Sequence, residues 1–253
     1  MKKLLTIAGF DPSGGAGLQA DLKVFQVFGV HGLSVVTAIT AQNSQGVRMV
    51  QGVTADMFDT QLRTLLEDGI PQAIKIGMLY SVDIVNCLAK IIREYNLKNI
   101  VIDPVIISTS GKCLALEGTA DAIADKLFPL SSVVIPNIEE AEFYTNRAIN
   151  TITDMKDAAS DLIKIGMESV IITGGHLEAV DIFYDGIEYI EKSSIKYQGQ
   201  FHGTGCTFSS AVAVTLGLGR TKLEAFELAK EFIEKAIKSS YRLGDGMSFL
   251  NIL

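Results

Sequence analysis

His202-Gly203-Thr204-Gly205-Cys206, followed by the apolar run Thr207 to Leu216, sets the reading of the whole chain. A polar extended segment leads into two glycines and then into a helix. Glycine lets the backbone turn tightly and approach a ligand closely. The unpaired N–H groups of a helix start, with the positive end of its dipole, make a site for an anion. Cys206 falls in the first turn, where the dipole favours a thiolate. The loop therefore offers an oxyanion nest beside a candidate base, which suits phosphoryl transfer to a hydroxyl. The same pattern also describes a tight connection with a small buried thiol, so the rest of the chain has to decide.

Working outward, strand-like and helix-like segments alternate. Strands are expected at Leu4–Ala8, Leu33–Ile39, Ala73–Ile76, Ile100–Asp103, Val133–Ile135 and Ser169–Thr173. Helices are expected at Gly15–Phe28, Ala55–Leu66, Val82–Tyr95, Thr119–Leu127, Glu139–Thr145, Met155–Ile165, Gly205–Leu216 and Lys222–Ser240. Such alternation implies an α/β fold with a mainly parallel central sheet and helices on both faces. The strands are short continuous apolar runs, as expected of strands covered on both sides. Ile182–Tyr184, Asp185-Gly186 and Ile187–Ile190 read as an antiparallel edge hairpin. No linker, repeat or low-complexity tract divides the chain, so residues 1–253 are expected to form one domain.

Composition narrows the partners. The 253 residues are 48% hydrophobic and 20% charged, with net charge −7. The pI is about 5.0 and the mean hydropathy +0.30. Without a strong basic run, nucleic acid and anionic membrane are disfavoured as main partners. The three cysteines, Cys87, Cys113 and Cys206, have no metal-like spacing and point to a reduced, cytoplasmic setting. Met1-Lys2-Lys3 and Leu4 to Gly9 mimic a small signal peptide, but the apolar part is short and Asp11-Pro12 ends it. It is read as the first strand. No run reaches membrane-spanning length.

Ligands of open α/β sheets bind beyond the carboxyl ends of the strands. Polar and glycine residues gather there: Gly9 to Gly17, Thr40 to Asn43, Lys75 to Met78, Asp103 to Val105, Pro136 to Glu140 and Thr173 to His176. Gly15-x-Gly17-x-x-Ala20 superficially matches a dinucleotide fingerprint, but the second strand ends in Ala41-Gln42-Asn43 with no acid for a ribose. Neither a P-loop nor a Gly-x-Ser-x-Gly elbow is present in the sequence.

Seven motifs occur in one order: Asp11-Pro-Ser-Gly-Gly-Ala-Gly17, Ala38-Ile-Thr-Ala-Gln-Asn43, Lys75-Ile-Gly-Met-Leu79, Asp103-Pro-Val105, Pro136-Asn137-x-x-Glu140, Gly174-Gly-His176 and His202-Gly-Thr-Gly-Cys206. Together they resemble the hydroxymethylpyrimidine and phosphomethylpyrimidine kinases of thiamine biosynthesis, within the ribokinase superfamily. The likeness runs through nearly the whole chain. It implies a ribokinase-like fold and an ATP-dependent kinase acting on 4-amino-5-hydroxymethyl-2-methylpyrimidine and its monophosphate. By motif match, Gly203, Thr204, Gly205 and Cys206 line the anion hole, with Cys206 as base. Gln42 matches the pyrimidine-contacting position, where its amide can both donate and accept. Met78 and Val105 match apolar contacts to the ring, and Gly9 and Ala16 the small residues beside it. Asn137, Thr173 and Gly174 match nucleotide-side positions. Glu140 belongs to the motif that organises Mg²⁺, and Asp103 has the charge and place to join it; without the motif, Glu140 reads as an acid rewarded by a helix start. The family commonly forms homodimers.

Two departures stand out. Thr173 stands where relatives commonly carry the lysine of Lys-Gly-Gly-His, which removes a fixed charge from the phosphate subsite. Gly244-Asp-Gly-Met-Ser-Phe249 replaces the family's Gly-Pro-Val-Asn-His-Phe tail. His176 and His202 are read as structural hydrogen-bonding residues, and Lys75 either as a phosphate grip or as a lysine snorkelling to the surface. The motifs leave open a pyridoxal kinase of the same lineage and a catalytically weakened vitamin-precursor binding protein.

Overall fold

The computed structural model describes residues 1–253 apart from Thr109, Ser110, His176 and Glu178. The expected role of His176 therefore lies outside the described residues. The strands of the main sheet are β1 (Lys3–Phe10), β2 (His31–Asn43), β3 (Gly46–Gly52), β4 (Ile74–Ile76), β5 (Ile100–Ile102), β6 (Val133–Val134), β7 (Val170–Ile172), β8 (Val180–Tyr184) and β9 (Tyr189–Ser193). A small parallel pair, β10 (Phe201–His202) and β11 (Ser248–Phe249), lies apart. The helices are α1 (Gly17–Val27), α2 (Ala55–Glu67), α3 (Val82–Glu94), α4 (Thr119–Lys126), α5 (Ile138–Thr145), α6 (Ile152–Ile163), α7 (Thr204–Gly217) and α8 (Lys222–Lys238).

The main sheet runs β3-β2-β1-β4-β5-β6-β7-β8-β9. From β2 to β7 every pairing is parallel, while β3, β8 and β9 are antiparallel to their neighbours. The strands read as continuous apolar runs because alternate side chains enter two separate cores. Leu5, Ile7, Ile100, Ile102, Val134 and Val170 face the core formed with α2 to α6. Leu4, Val101, Val133 and Ile171 face the other, formed with α1, α7 and α8. Among the described residues no helix is long and apolar enough to cross a membrane.

The structure corrects the expected boundaries in three places. The sheet is antiparallel at both edges, not one, because β2 continues through Thr40–Asn43 and returns as β3. The turn is fixed by Asn43, whose Oδ1 accepts the Gln45 N–H at 2.9 Å. Helix α6 begins at Ile152 rather than Met155, capped reciprocally by Thr151 and Asp154. Helix α1 begins at Gly17 rather than Gly15, because the N–H groups of Gly15 and Ala16 are bound to the Asp11 carboxylate at 3.1 and 2.8 Å.

Candidate active site

The order of strands reverses at β1, with β2 on one side and β4 on the other. In open α/β sheets such a switch opens a crevice at the carboxyl ends. Here a cleft of about 620 Å³ lies there, with Gln42, Asp103, Asn137 and Cys206 among its walls.

Helix α7 supplies the anion-binding wall. Gly203 caps it with φ +80°, and a Cβ there would stand 1.8 Å from the Gly15 carbonyl oxygen, so only glycine fits. The first intrahelical bond is Thr207 N–H to Gly203 O at 2.9 Å. Helix geometry gives the N–H groups of Thr204, Gly205 and Cys206 no intrahelical carbonyl. No acid in the first turn neutralises the helix end.

The state of Cys206 differs from the sequence expectation. Burial pushes its thiol up to about 12; Lys75 and the Gly17 N–H pull it down, while Asp103 and Asp21 push it further up. Desolvation and two carboxylates outweigh the helix end, so the thiolate is not preformed. Although it borders the cleft, the residue is half-buried.

Beneath it lies a buried charge network. Lys75 and Asp21 are both fully buried and pair at 3.1 Å. Asp21 also accepts from Thr6 Oγ1 at 2.5 Å and Ser210 Oγ at 2.6 Å. Burial alone would lower the Lys75 pKa, but Asp21, Cys206 and Asp103 raise it. Lys75 thus neither snorkels to the surface nor grips a phosphate from solvent; its ammonium is committed to Asp21. Asp103 is 5% exposed and accepts from Ser209 Oγ at 3.0 Å. Burial raises its carboxyl, with Lys75 and Ser209 opposing.

Asn137 and Glu140 form a reciprocal cap of α5: Asn137 Oδ1 accepts Glu140 N–H at 2.8 Å and Glu140 Oε2 accepts Asn137 N–H at 2.9 Å. Glu140 is thus a helix cap, and it also borders the cleft. Burial, then the nearby Asp103, pushes its carboxyl up to about 8 against the Asn137 and Ile106 N–H groups. Among the described residues no group of three or more metal-ligating side chains converges.

The remaining expected residues divide. Gly9, Ala16, Gln42, Met78 and Val105 all line the cleft. A Cβ on Gly9 would lie 2.8 Å from Met78 Sδ, so the small residue makes room for Met78. Thr173 also borders the cleft and bridges to Asn137. Gly174 does not. Its N–H is bound to Asp181 Oδ1 at 2.9 Å, and a Cβ would strike the Val180 carbonyl at 2.0 Å. It is a packing residue, and its neighbour Gly175 borders the cleft instead. Sequence reasoning missed Asp21, Ser209 and Ser210 beneath the site, and the buried Asp181–Lys230 ion pair in its far wall. A lysine at an otherwise apolar position of α8 was the available signal for Lys230.

Comparison with known proteins shows the family. The phosphomethylpyrimidine kinase family model matches residues 11–251. A hydroxymethylpyrimidine/phosphomethylpyrimidine kinase of Bacillus subtilis is 37% identical over 249 residues, covering 96% of this chain and 92% of that one. A pyridoxine kinase of the same organism is 42% identical over 253 residues, covering 96% and 93%. The crystal structure of a phosphomethylpyrimidine kinase from Clostridium difficile superposes with TM-score 0.85 at 40% identity, covering 94% of this chain and 100% of that one. The chain spans 44 to 51% of the bifunctional thiamine-biosynthesis relatives it matches.

Proposed function

The chain belongs to the phosphomethylpyrimidine kinase family, and on that premise we propose that it transfers the γ-phosphoryl group of ATP to 4-amino-5-hydroxymethyl-2-methylpyrimidine and then to the resulting monophosphate. One observation carries the reading. The acid-free start of α7, with Cys206 in its first turn, lines the same cleft as Gln42, Met78 and Val105, at the strand-order reversal. Catalysis of this kind is largely positioning and charge stabilisation of an in-line transfer. The N–H groups of residues 204–206 take the charge of the moving phosphoryl group. Gln42 reads the ring edge by donating and accepting. Cys206 takes the alcohol proton as a thiolate, after its own proton has left to water; Lys75 and the Gly17 N–H are the groups that favour that thiolate. The monophosphate is already anionic, so the second transfer depends less on a base.

Mg²⁺ favours oxygen ligands and keeps several waters. Asp103 and Glu140 fit that preference: one buried and one half-buried carboxyl, each raised by desolvation, with Asp103 also raising Glu140. When bound, the ion would neutralise phosphate charge beside them. Asn137, Thr173 and the Asp181–Lys230 wall form the nucleotide side. The enzyme works as a homodimer, as the family resemblance implies, and in a reducing compartment, where Cys87, Cys113 and Cys206 stay free thiols.

A pyridoxal-type activity is the second reading, favoured by the 42% identity to a pyridoxine kinase. ATP consumption with the pyrimidine alcohol, its monophosphate or pyridoxal, with products weighed by mass spectrometry, separates the two. Pyrimidine phosphorylation at the higher kcat/KM is expected. Preference for pyridoxal would reverse the assignment, and ATP turnover indifferent to every acceptor would remove both.

A further inference from the structure

A buried cluster outside the reacting groups joins the two glycine-rich loops. Asp11 is 1% exposed. Its Oδ1 accepts the Ser13 N–H at 2.8 Å and the Ser13 hydroxyl at 2.7 Å. Its Oδ2 accepts the N–H groups of Gly15 at 3.1 Å and Ala16 at 2.8 Å. The same oxygen lies 2.9 Å from His202 Nε2. A carboxylate only accepts, so Nε2 carries the hydrogen. His202 directly precedes Gly203, the cap of the anion-binding helix.

The contact between the loops leaves no slack. Besides the approach of Gly203 to the Gly15 carbonyl, a Cβ on Gly15 would strike His202 Cδ2 at 2.3 Å and Phe249 at 2.7 Å. The Phe249 ring meets His202 edge-on at 5.7 Å. Phe249 belongs to β11, which pairs with β10, and the adjoining Met247 N–H binds the Ser44 carbonyl of the β2–β3 turn at 2.8 Å. The segment 244–249 therefore straps together the β2–β3 turn, the loop 10–17 and the loop 202–206.

We propose that the Asp11–His202 pair, braced by Phe249, is a positioning device that couples occupancy of the acceptor pocket to the geometry of the anion-binding loop. Gly9 and Ala16 stand on the acceptor wall, and Gly203 to Cys206 on the phosphate wall. Close-packed backbones move together or not at all. An acceptor that orders residues 9–17 through Ala16 orders residues 203–206 through Asp11 and His202. Acceptor and nucleotide then tighten each other's binding equally, as linkage requires. His202 and Asp11 touch neither reacting atom; they act through the loops they hold.

The inference rests on the kinase reading of the site, and the test separates the two. Calorimetry measures the affinity of AMP-PCP with and without saturating pyrimidine alcohol, for wild type, His202→Leu, His202→Gln and Asp11→Asn. Wild type is expected to bind the analogue roughly tenfold more tightly when the alcohol is present. In His202→Leu the factor falls to about one and kcat drops more than either KM changes, since the coupling of the two loops is what is lost. His202→Gln, whose amide can donate from the Nε2 position, keeps most of the coupling. Asp11→Asn turns donors against donors and behaves as His202→Leu; it carries the test if the leucine variant does not fold. Wild-type coupling in His202→Leu or Asp11→Asn overturns the proposal, as does a wild type that turns over pyrimidine without coupling. A wild type that consumes no ATP with any acceptor overturns the kinase reading and this proposal together.

Discussion

Cys206 lies where two physical effects oppose each other. Lys75 and the Gly17 N–H favour its thiolate, as a helix start does in general, while burial, Asp103 and Asp21 hold the thiol up at about 12. Two outcomes follow at this residue. Cys206 in the ligand-free protein should resist alkylation at neutral pH, while the exposed Cys113 reacts, as peptide mapping after iodoacetamide would show. Cys206→Ala should fold normally and lose about 10²–10⁴-fold in transfer to the free alcohol, with a smaller loss on the monophosphate. Wild-type speed with the alcohol would make it a lining residue. Asp11 gives a pH prediction. Burial raises its carboxyl, but bonds from His202, Ser13 and Ala16 outweigh that and hold it at about 2, below its ordinary value of 3.8. Its contribution is therefore complete above pH 3.8 and is lost as pH falls towards 2. The shift corresponds to about 2 kcal/mol. Urea unfolding between pH 3 and 7 should give a shallower acid dependence in Asp11→Asn; identical slopes would refute the assignment. The sequence made Cys206 and Gly203 legible because a helix start and its glycine are local features. It could not show Asp11 to be a hub, because the partner His202 is 191 residues away. Nor could it show the raised thiol, which depends first on burial and then on Asp103 and Asp21, carboxylates distant in the chain.

At the scale of elements, β4, α1 and α7 are locked by one buried ion pair. Asp21 of α1 takes Lys75 of β4 and Ser210 of α7 together. Removing one partner leaves the other charge buried and unpaired, which typically costs about 3–5 kcal/mol. Lys75→Met should therefore destabilise strongly, and Asp21→Asn/Lys75→Met should recover much of the loss. Chemical denaturation of the two single variants and the double closes the cycle; additive losses would mean that the pair is not coupled. The end of β7 supports a second prediction. Thr173 borders the cleft beside Asn137 and has no charge for a phosphate. Lys230, the cation of the neighbouring wall, is neutralised by Asp181. Thr173→Lys should then add a charge-assisted bond of roughly 1.5–3 kcal/mol and lower the KM for ATP. A raised KM would mean that Lys230 repels the new ammonium, and an unchanged one that position 173 faces away from the phosphates. The parallel core of these elements was readable from apolar runs punctuated by glycine and proline. The β2–β3 return was not, because Thr40 to Asn43 carries the polar composition of a loop and is a strand only by virtue of its partner Gly46–Gly52.

Across the whole molecule, helices cover both faces of the parallel strands, but the extended β2–β3 ribbon runs past them. Residues directly paired on neighbouring strands share a face. Phe10 pairs with Ile39, and Ala41 with Met49, and Ile39 and Ala41 are two residues apart on β2. These side chains therefore form one apolar stripe. Phe10, Ile39 and Met49 are 39, 53 and 65% exposed. Gln42, on the opposite side of the ribbon, faces the cleft. An uncovered apolar sheet face of this kind is a natural seat for a second copy of the same ribbon. Such an interface would bury about 800 Å² on each partner if of standard size, and it would brace the acceptor wall from behind. The homodimer proposed above is expected to form here. Ile39→Lys/Met49→Lys places like charges across the two-fold contact, so sedimentation at micromolar concentration should show wild-type dimer and variant monomer with unchanged circular dichroism. The KM for the acceptor should rise in the monomer, because the ribbon that carries Gln42 loses its support. A wild type that sediments as a monomer would remove the dimer from this face, and a variant that stays dimeric would place the contact elsewhere.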